Sequence, residues 1–338
     1  MQTYSRHPFA DHEECLAIRE RLHGEGRLGG SDVGTAAGEN EYKSRLRLYH
    51  ELRGDILPQD LSTKQSIIDG IEGEPIAAKY FERRSGKKVH KVNAVLTSAD
   101  APHLFATIDR KVEGEDAGLE CKTAGARRED AFQEGRLPAS YVRQVKTYMK
   151  VTGYPRWYVI VWVMNVKTVI YLFTTLADER PEWCDVLVRV NEAELDECEE
   201  IAASFFADHV EPGVEPPYDG DEDERNLIKE LNPEATDAGP LVLSGVTEAD
   251  LANLDAWKQA VAETEGRIAA VEDRIKAELG AFAEGWVGSR KVTWRNNKPS
   301  RKVDWKAVVA EVAPPSEVID RHTAITPGAR VLRIGKAV

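Results

Sequence analysis

Leu104 to Thr123 reads LFATIDRKVEGEDAGLECKT. An apolar run leads into Asp109, a polar loop from Glu113 to Gly118 is rich in turn formers, and a second run covers Leu119 to Thr123. This pattern predicts two adjacent β-strands joined by a solvated turn. Side chains alternate faces along a strand, so Glu120 and Lys122 share one face and Cys121 points into the opposite layer. With Asp109 on the neighbouring strand, one solvent-facing surface collects two carboxylates and an ammonium.

Hard divalent cations such as Mg²⁺ take oxygen ligands and keep several waters, so a carboxylate pair at a sheet surface can hold one while phosphate oxygens complete the shell. A lysine beside it can polarise or deprotonate the attacking water and balance phosphate charge. That set of groups suits phosphodiester hydrolysis. The same spacing, an Asp separated by ten residues from an E-x-K, also fits an exposed hairpin whose charges only solubilise it.

Phrases on both sides narrow the choice. The pattern resembles the PD-(D/E)xK nuclease superfamily, with Ile108-Asp109 in place of Pro-Asp. RLGGSDVGTAAG from Arg27, GIEGEPIAAKYFERRSG from Gly70, GLECK from Gly118 and YVRQVKTYMKVTG from Tyr141 resemble the YqaJ and bacteriophage lambda exonuclease family, in family order. The resemblance implies an α/β fold, a restriction-endonuclease-like mixed β-sheet flanked by helices. It implies a Mg²⁺-dependent (or Mn²⁺-dependent) enzyme that degrades one strand of linear duplex DNA 5′→3′. The resulting 3′ overhangs would pass to a single-strand annealing protein.

The resemblance also assigns roles. Asp109, Glu120 and the Cys121 carbonyl hold metal, Lys122 activates water, and Glu74 and Gln144 complete the shell. Glu72 competes locally with Glu74, but the G-x-x-x-E-P phrase favours Glu74. Arg27 and Ser31, with Thr107, take the 5′ phosphate, although the spacing is two residues shorter than in the family. Family members can form a trimeric ring. Two other readings stay open: an endonuclease using the same chemistry, and a non-catalytic DNA-binding or scaffolding module.

The net charge of −13 argues against a DNA-binding protein until it is divided along the chain. Residues 177–238 carry 4 basic and 21 acidic side chains, whereas residues 1–176 carry 26 basic and 24 acidic ones. The first part can therefore fold into a locally basic groove. The four cysteines show no C-x-x-C spacing, which argues against zinc or an iron–sulfur cluster. No apolar run is long enough to span a membrane and the opening MQTYSRHPFADHEE has no signal-peptide core, so a cytoplasmic location is expected.

Further readings place helices over residues 12–24, 66–86 (Ile67, Ile71, Ile76, Ala77, Tyr80 and Phe81 inward), 139–152 and 177–217, and strands over 89–96, 157–163 and 169–174. Ser31 reads as a helix N-cap. Arg127 and Arg128 read as loop cations near the DNA backbone. The expected organisation is a nuclease domain over 1–217, an acidic irregular linker over 218–246, and a C-terminal helical plus β-hairpin appendage over 247–338. In the appendage a helix is expected over Thr247–Ala283, with strands Trp286–Arg295 and Arg301–Trp305 flanking a basic turn at 296–299. That region could dock a second copy or a partner, hold DNA, or pack on the nuclease.

Overall fold

In the computed structural model, which describes residues 4–126, 132, 136–236, 238–324 and 332–334, the chain forms two compact units, Met1–Asn232 and Pro233–Val338. The first contains β1 (Tyr4–Pro8), α1 (His12–Gly24), β2 (Leu28–Gly29), α2 (Gly30–Ala36), α3 (Arg45–Arg53), α4 (Gln65–Ser85), β3 (Val89–Lys91), β4 (Ala94–Ser98), β5 (Ala101–Thr107), β6 (Arg110–Val112) and β7 (Ala117–Ala124). It continues with α5 (Ala139–Thr152), β8 (Arg156–Val163), β9 (Lys167–Thr174), β10 (Val186–Arg189), α6 (Glu192–Phe205) and α7 (Glu222–Leu231).

Two sheets result, ordered β1-β4-β5-β2 and β10-β9-β8-β7-β6-β3. The chain leaves the first after Thr107 and enters the second at Arg110, so Ile108 and Asp109 bridge them. β7 pairs with β8 in parallel from Ala117↔Arg156 to Ala124↔Val163, and β8 pairs with β9 antiparallel. The continuous apolar run of β8 reflects burial on both faces. Trp157, Val159 and Val161 pack with Val145, Tyr148 and Met149 of α5, while Tyr158 and Ile160 pack with Ala77 and Phe81 of α4. This is the mixed sheet flanked by helices that the sequence predicts.

Several expectations are corrected. The strand predicted over Val89–Leu96 is two strands, β3 and β4, which belong to different sheets. The inward stripe predicted for α4 is displaced: Ile67, Ile71, Ile76 and Tyr80 are 38 to 68% exposed, and Gly73, Ala77, Ala78 and Phe81 face the sheet. Small residues win there because the helix approaches β7 closely; a Cβ on Gly73 would lie 2.4 Å from Thr123 Oγ1. The helix predicted over 177–217 begins only at Glu192 and follows the edge strand β10. Ser31 is not the cap of α2, which is Gly29.

The acidic segment expected to be an irregular linker is partly structural. Asp221 caps α7, and Asp223 accepts hydrogen bonds from Arg47 Nε at 2.7 Å and Ser44 Oγ at 2.9 Å. Arg47 is 2% exposed and also reaches Glu230 at 3.1 Å. A buried guanidinium needs paired carboxylates, so residues 219–231 belong to the first unit.

The second unit contains α8 (Glu248–Leu279), β11 (Glu284–Val287), β12 (Arg290–Thr293), α9 (Trp305–Val312) and α10 (Ser316–Arg321). Thr247 and Asp250 form a reciprocal capping box at the start of α8. β11 and β12 form a hairpin turning at Gly288-Ser289, not at the basic residues 296–299. Arg301–Trp305 is not a strand, because the hairpin already closes within residues 284–293. Among the described residues, no helix is long and apolar enough to cross a membrane.

Candidate active site

Glu120 and Lys122 leave the α5 face of β7, whereas Leu119 and Cys121 pack with the α4 cluster, as strand alternation requires. Asp109 is not on a strand. It sits at the bridge between the sheets, and its Oδ2 accepts the Cys121 N–H at 2.8 Å. The side chain thereby takes a β7 donor just beyond the last β6 pairing, Arg110↔Leu119.

The three charged groups are packed inward, not on an open surface. Glu120 is 3% exposed, and its Oε2 is buried with no hydrogen-bond partner. Its Oε1 lies 2.8 Å from Lys122 Nζ and accepts from Gln144 Nε2 at 3.0 Å. Gln144 Oε1 accepts from Lys122 Nζ at 2.8 Å, and Gln144 Nε2 also donates to the Tyr148 hydroxyl at 2.7 Å. Lys122 Nζ stands 4.6 Å from the centroid of the Tyr141 ring.

Burial, and then the neighbouring Glu120 carboxylate, push the Asp109 carboxyl well above the usual carboxylate range. Burial opposes the Lys122 charge, but Glu120 and Asp109 outweigh it and raise the ammonium's pKa. Burial also pushes the Cys121 thiol well up, which leaves it a neutral core group.

Glu74 approaches from the opposite face of β7, on α4. Its Oε1 accepts from Arg110 Nη2 at 2.6 Å and lies 3.7 Å from Lys91 Nζ. It is near enough to contribute to the rise at Asp109. Among the described residues no three His, Cys, Asp or Glu side chains converge as a metal cage. The side-chain donors for a cation are the Asp109 and Glu120 carboxylates, with the Cys121 carbonyl from the main chain. Hard oxygens, one of them buried and unpartnered, fit a hydrated divalent cation.

The residues assigned to a 5′ phosphate flank β2 and β5. Arg27 precedes β2, donates a long 3.4 Å bond to the Leu104 carbonyl and lies 3.9 Å from a Glu25 carboxylate oxygen. Ser31 is exposed in the first turn of α2, and Thr107 Oγ1 is buried without a partner. Buried Asp32, beside Ser31, meets Arg19, His23 and Lys43; burial alone would raise its carboxyl, but those cations hold it far below its usual range. Arg127 and Arg128 lie outside the described residues.

Sequence reasoning missed Arg110, the partner of Glu74, and Tyr141, the ring beside Lys122. Both carried a signal: Tyr141 lies three residues before Gln144 on one helix face, and Arg110 is a cation directly after an active-site carboxylate. A cleft of about 300 Å³ lined by Lys43, Arg45 and Asp219 contains none of the site residues.

Residues 19–155 match the family of the YqaJ-like viral recombinase domain. The "Uncharacterized protein YqaJ" of Bacillus subtilis (strain 168) is 27% identical over 300 residues, covering 88% of each chain. The crystal structure of LHK-Exo in complex with dAMP is similar at 19% identity and a TM-score of 0.46, covering 65% of this chain and 97% of that one. The alkaline exonuclease LHK-Exo from Laribacter hongkongensis gives 18% identity and a TM-score of 0.45 over the same shares. The four phrases quoted above, and every candidate site residue, fall within the matched segment. Over residues 19–155 this chain is therefore similar to the YqaJ-like viral recombinase domain family.

Proposed function

We propose that the chain is a divalent-metal-dependent recombination exonuclease that digests one strand of linear duplex DNA from its 5′ end, leaving 3′ overhangs for a single-strand annealing protein. The observation that carries this reading is the buried, unpartnered Glu120 Oε2, whose carboxylate is held by Lys122 and Gln144 and stands near Asp109.

Asp109, Glu120 and the Cys121 carbonyl would hold Mg²⁺ or Mn²⁺. Glu74 could join them only by loosening its hold on Arg110. A divalent ion held there would supply positive charge at the scissile phosphate and lower the pKa of a water. Lys122 is kept charged by Glu120 and Asp109. Beside a cation held by those carboxylates, Lys122 would polarise the attacking water and balance phosphate charge. Gln144 fixes the lysine and Glu120 in one geometry, and Tyr148 fixes Gln144. Arg27, Ser31 and Thr107 would receive the terminal phosphate; the guanidinium is weakly engaged and the Thr107 hydroxyl has an unused donor.

Linear duplex DNA labelled at either end, with and without a 5′ phosphate, tests the reading beside a covalently closed circle. Early loss of the 5′ label as mononucleotide and sparing of the circle are expected. Cutting of the circle would assign an endonuclease, and no metal-dependent cleavage would leave a binding module.

A further inference from the structure

The first unit packs its tryptophans: Trp157 is fully buried, and Trp162 and Trp183 are partly covered. In the second unit, Trp286, Trp294 and Trp305 are 67, 50 and 69% exposed. Trp294 and Trp305 stand within a strongly basic stretch, and Trp286 lies just before it. Residues 290–306, RKVTWRNNKPSRKVDWK, hold seven Lys or Arg and one Asp, in a chain whose net charge is −13. Asp304 is occupied as the cap of α9, accepting the Ala307 N–H at 3.0 Å.

The hairpin register sorts these residues. Gly285 and Val292 are cross-strand partners, and a Cβ on Gly285 would lie 2.9 Å from Leu279 Cδ2, so that face lies against the end of α8. Trp286, Lys291 and Thr293 lie on the other, outward face, with Lys291 Nζ 6.0 Å from the Trp286 ring centroid. Glu284 pairs with Lys291 and Arg295. Among the described residues Arg290, Lys298, Arg301, Lys302 and Lys306 have no ion pair, and all are exposed.

We infer that this hairpin and the irregular segment after it, up to the start of α9, residues 284–306, form a second DNA site that binds single-stranded DNA. Exposed, unpaired cations spaced along the segment match a phosphate backbone, and exposed indoles among them offer faces to bases. Bases in a duplex are stacked on one another and cannot take those rings, so the chemistry selects an unpaired strand. That the bound strand is the 3′ overhang rests on the exonuclease reading above; the site itself does not.

The full chain in chelator, where cleavage is stopped, is titrated with fluorescein-labelled oligo-thymidine and followed by anisotropy and tryptophan quenching. Binding is expected to quench tryptophan emission and to weaken steeply with salt. Trp286→Ala and Trp305→Ala should each weaken binding by about tenfold. A Lys298→Glu, Arg301→Glu, Lys302→Glu variant should flatten the salt dependence by about two units of log–log slope. Each variant should still cut short blunt duplex in Mg²⁺ within about twofold of the parent chain, because the hairpin contributes no group to the carboxylate site. Oligo-thymidine binding unchanged in all three variants would overturn the inference. So would equal loss of binding to blunt duplex and single strand, or a fall in self-association in place of DNA binding. Absence of cleavage with these binding effects intact would instead count against the exonuclease reading alone.

Discussion

Asp109 is the residue on which the site turns. Its carboxyl is raised by burial and by Glu120, so it stabilises the metal-free fold only while protonated. That contribution is complete below the unfolded carboxyl pKa, near about 4, and is lost as pH rises through the higher folded value. Above the folded value the metal-free protein therefore bears the full cost of a buried, repelling carboxylate pair. Asp109→Asn is expected to raise the melting temperature in chelator at pH 8 by about 2–4 °C, with the gain shrinking towards pH 4. The same variant should lose roughly a thousandfold or more in cleavage. Differential scanning fluorimetry beside a cleavage assay checks both, and an Asn variant less stable than the parent at pH 8 would contradict this electrostatics. Lys122→Met should behave oppositely in chelator: it removes the cation that offsets both carboxylates, so melting falls while cleavage is also lost.

At the scale of the element, α5 has to hold Gln144 over β7, and a cross-link does so. Arg143, on the far side of α5 from Gln144's partners, bonds Glu39 at 2.7 Å and Glu197 at 2.8 Å, joining α5 to the loop after α2 and to α6. Those carboxylate bonds outweigh the cost of burial and hold the guanidinium protonated. Arg143→Ala should lower the melting temperature by roughly 5 °C and reduce kcat more than KM for short duplex, since the helix that positions Gln144 is loosened. Unchanged stability would show that α5 is fixed by its apolar face alone. Much of this element-level picture is legible from the sequence. The bounds of α5 follow from its 3.6-residue periodicity and the Gly153 stop, and β8 and β9 from their apolar runs. The crossing at Ile108-Asp109 is not legible, because a strand that changes sheets has the same local pattern as one that does not. Nor is the rotated face of α4 legible: hydrophobic pattern favours the isoleucines, whereas the approach distance to Thr123 favours Gly73 and the alanines.

For the whole molecule, the uneven charge along the sequence has a structural use. The acidic segment includes the carboxylates Asp219, Asp223 and Glu230, which neutralise Arg45 and Arg47, so it closes the first unit. A chain ending at Asn232 is expected to fold and cut short duplex, whereas one ending at Tyr218 leaves Arg47 buried without a carboxylate and should be less stable by several kcal/mol, about 3–5. Denaturant unfolding of the two truncations separates them, and equal midpoints would show that residues 219–232 add nothing.

The central claim is that Asp109, Glu120 and Lys122 form one metal-dependent hydrolytic site working from a 5′ end. The most direct test is the release of 5′-labelled mononucleotide from linear duplex DNA in Mg²⁺, with Asp109→Asn and a chelator as the two controls. The account predicts rapid release by the parent chain and none in either control. Release that continues in chelator, or in the Asp109→Asn variant, would contradict it.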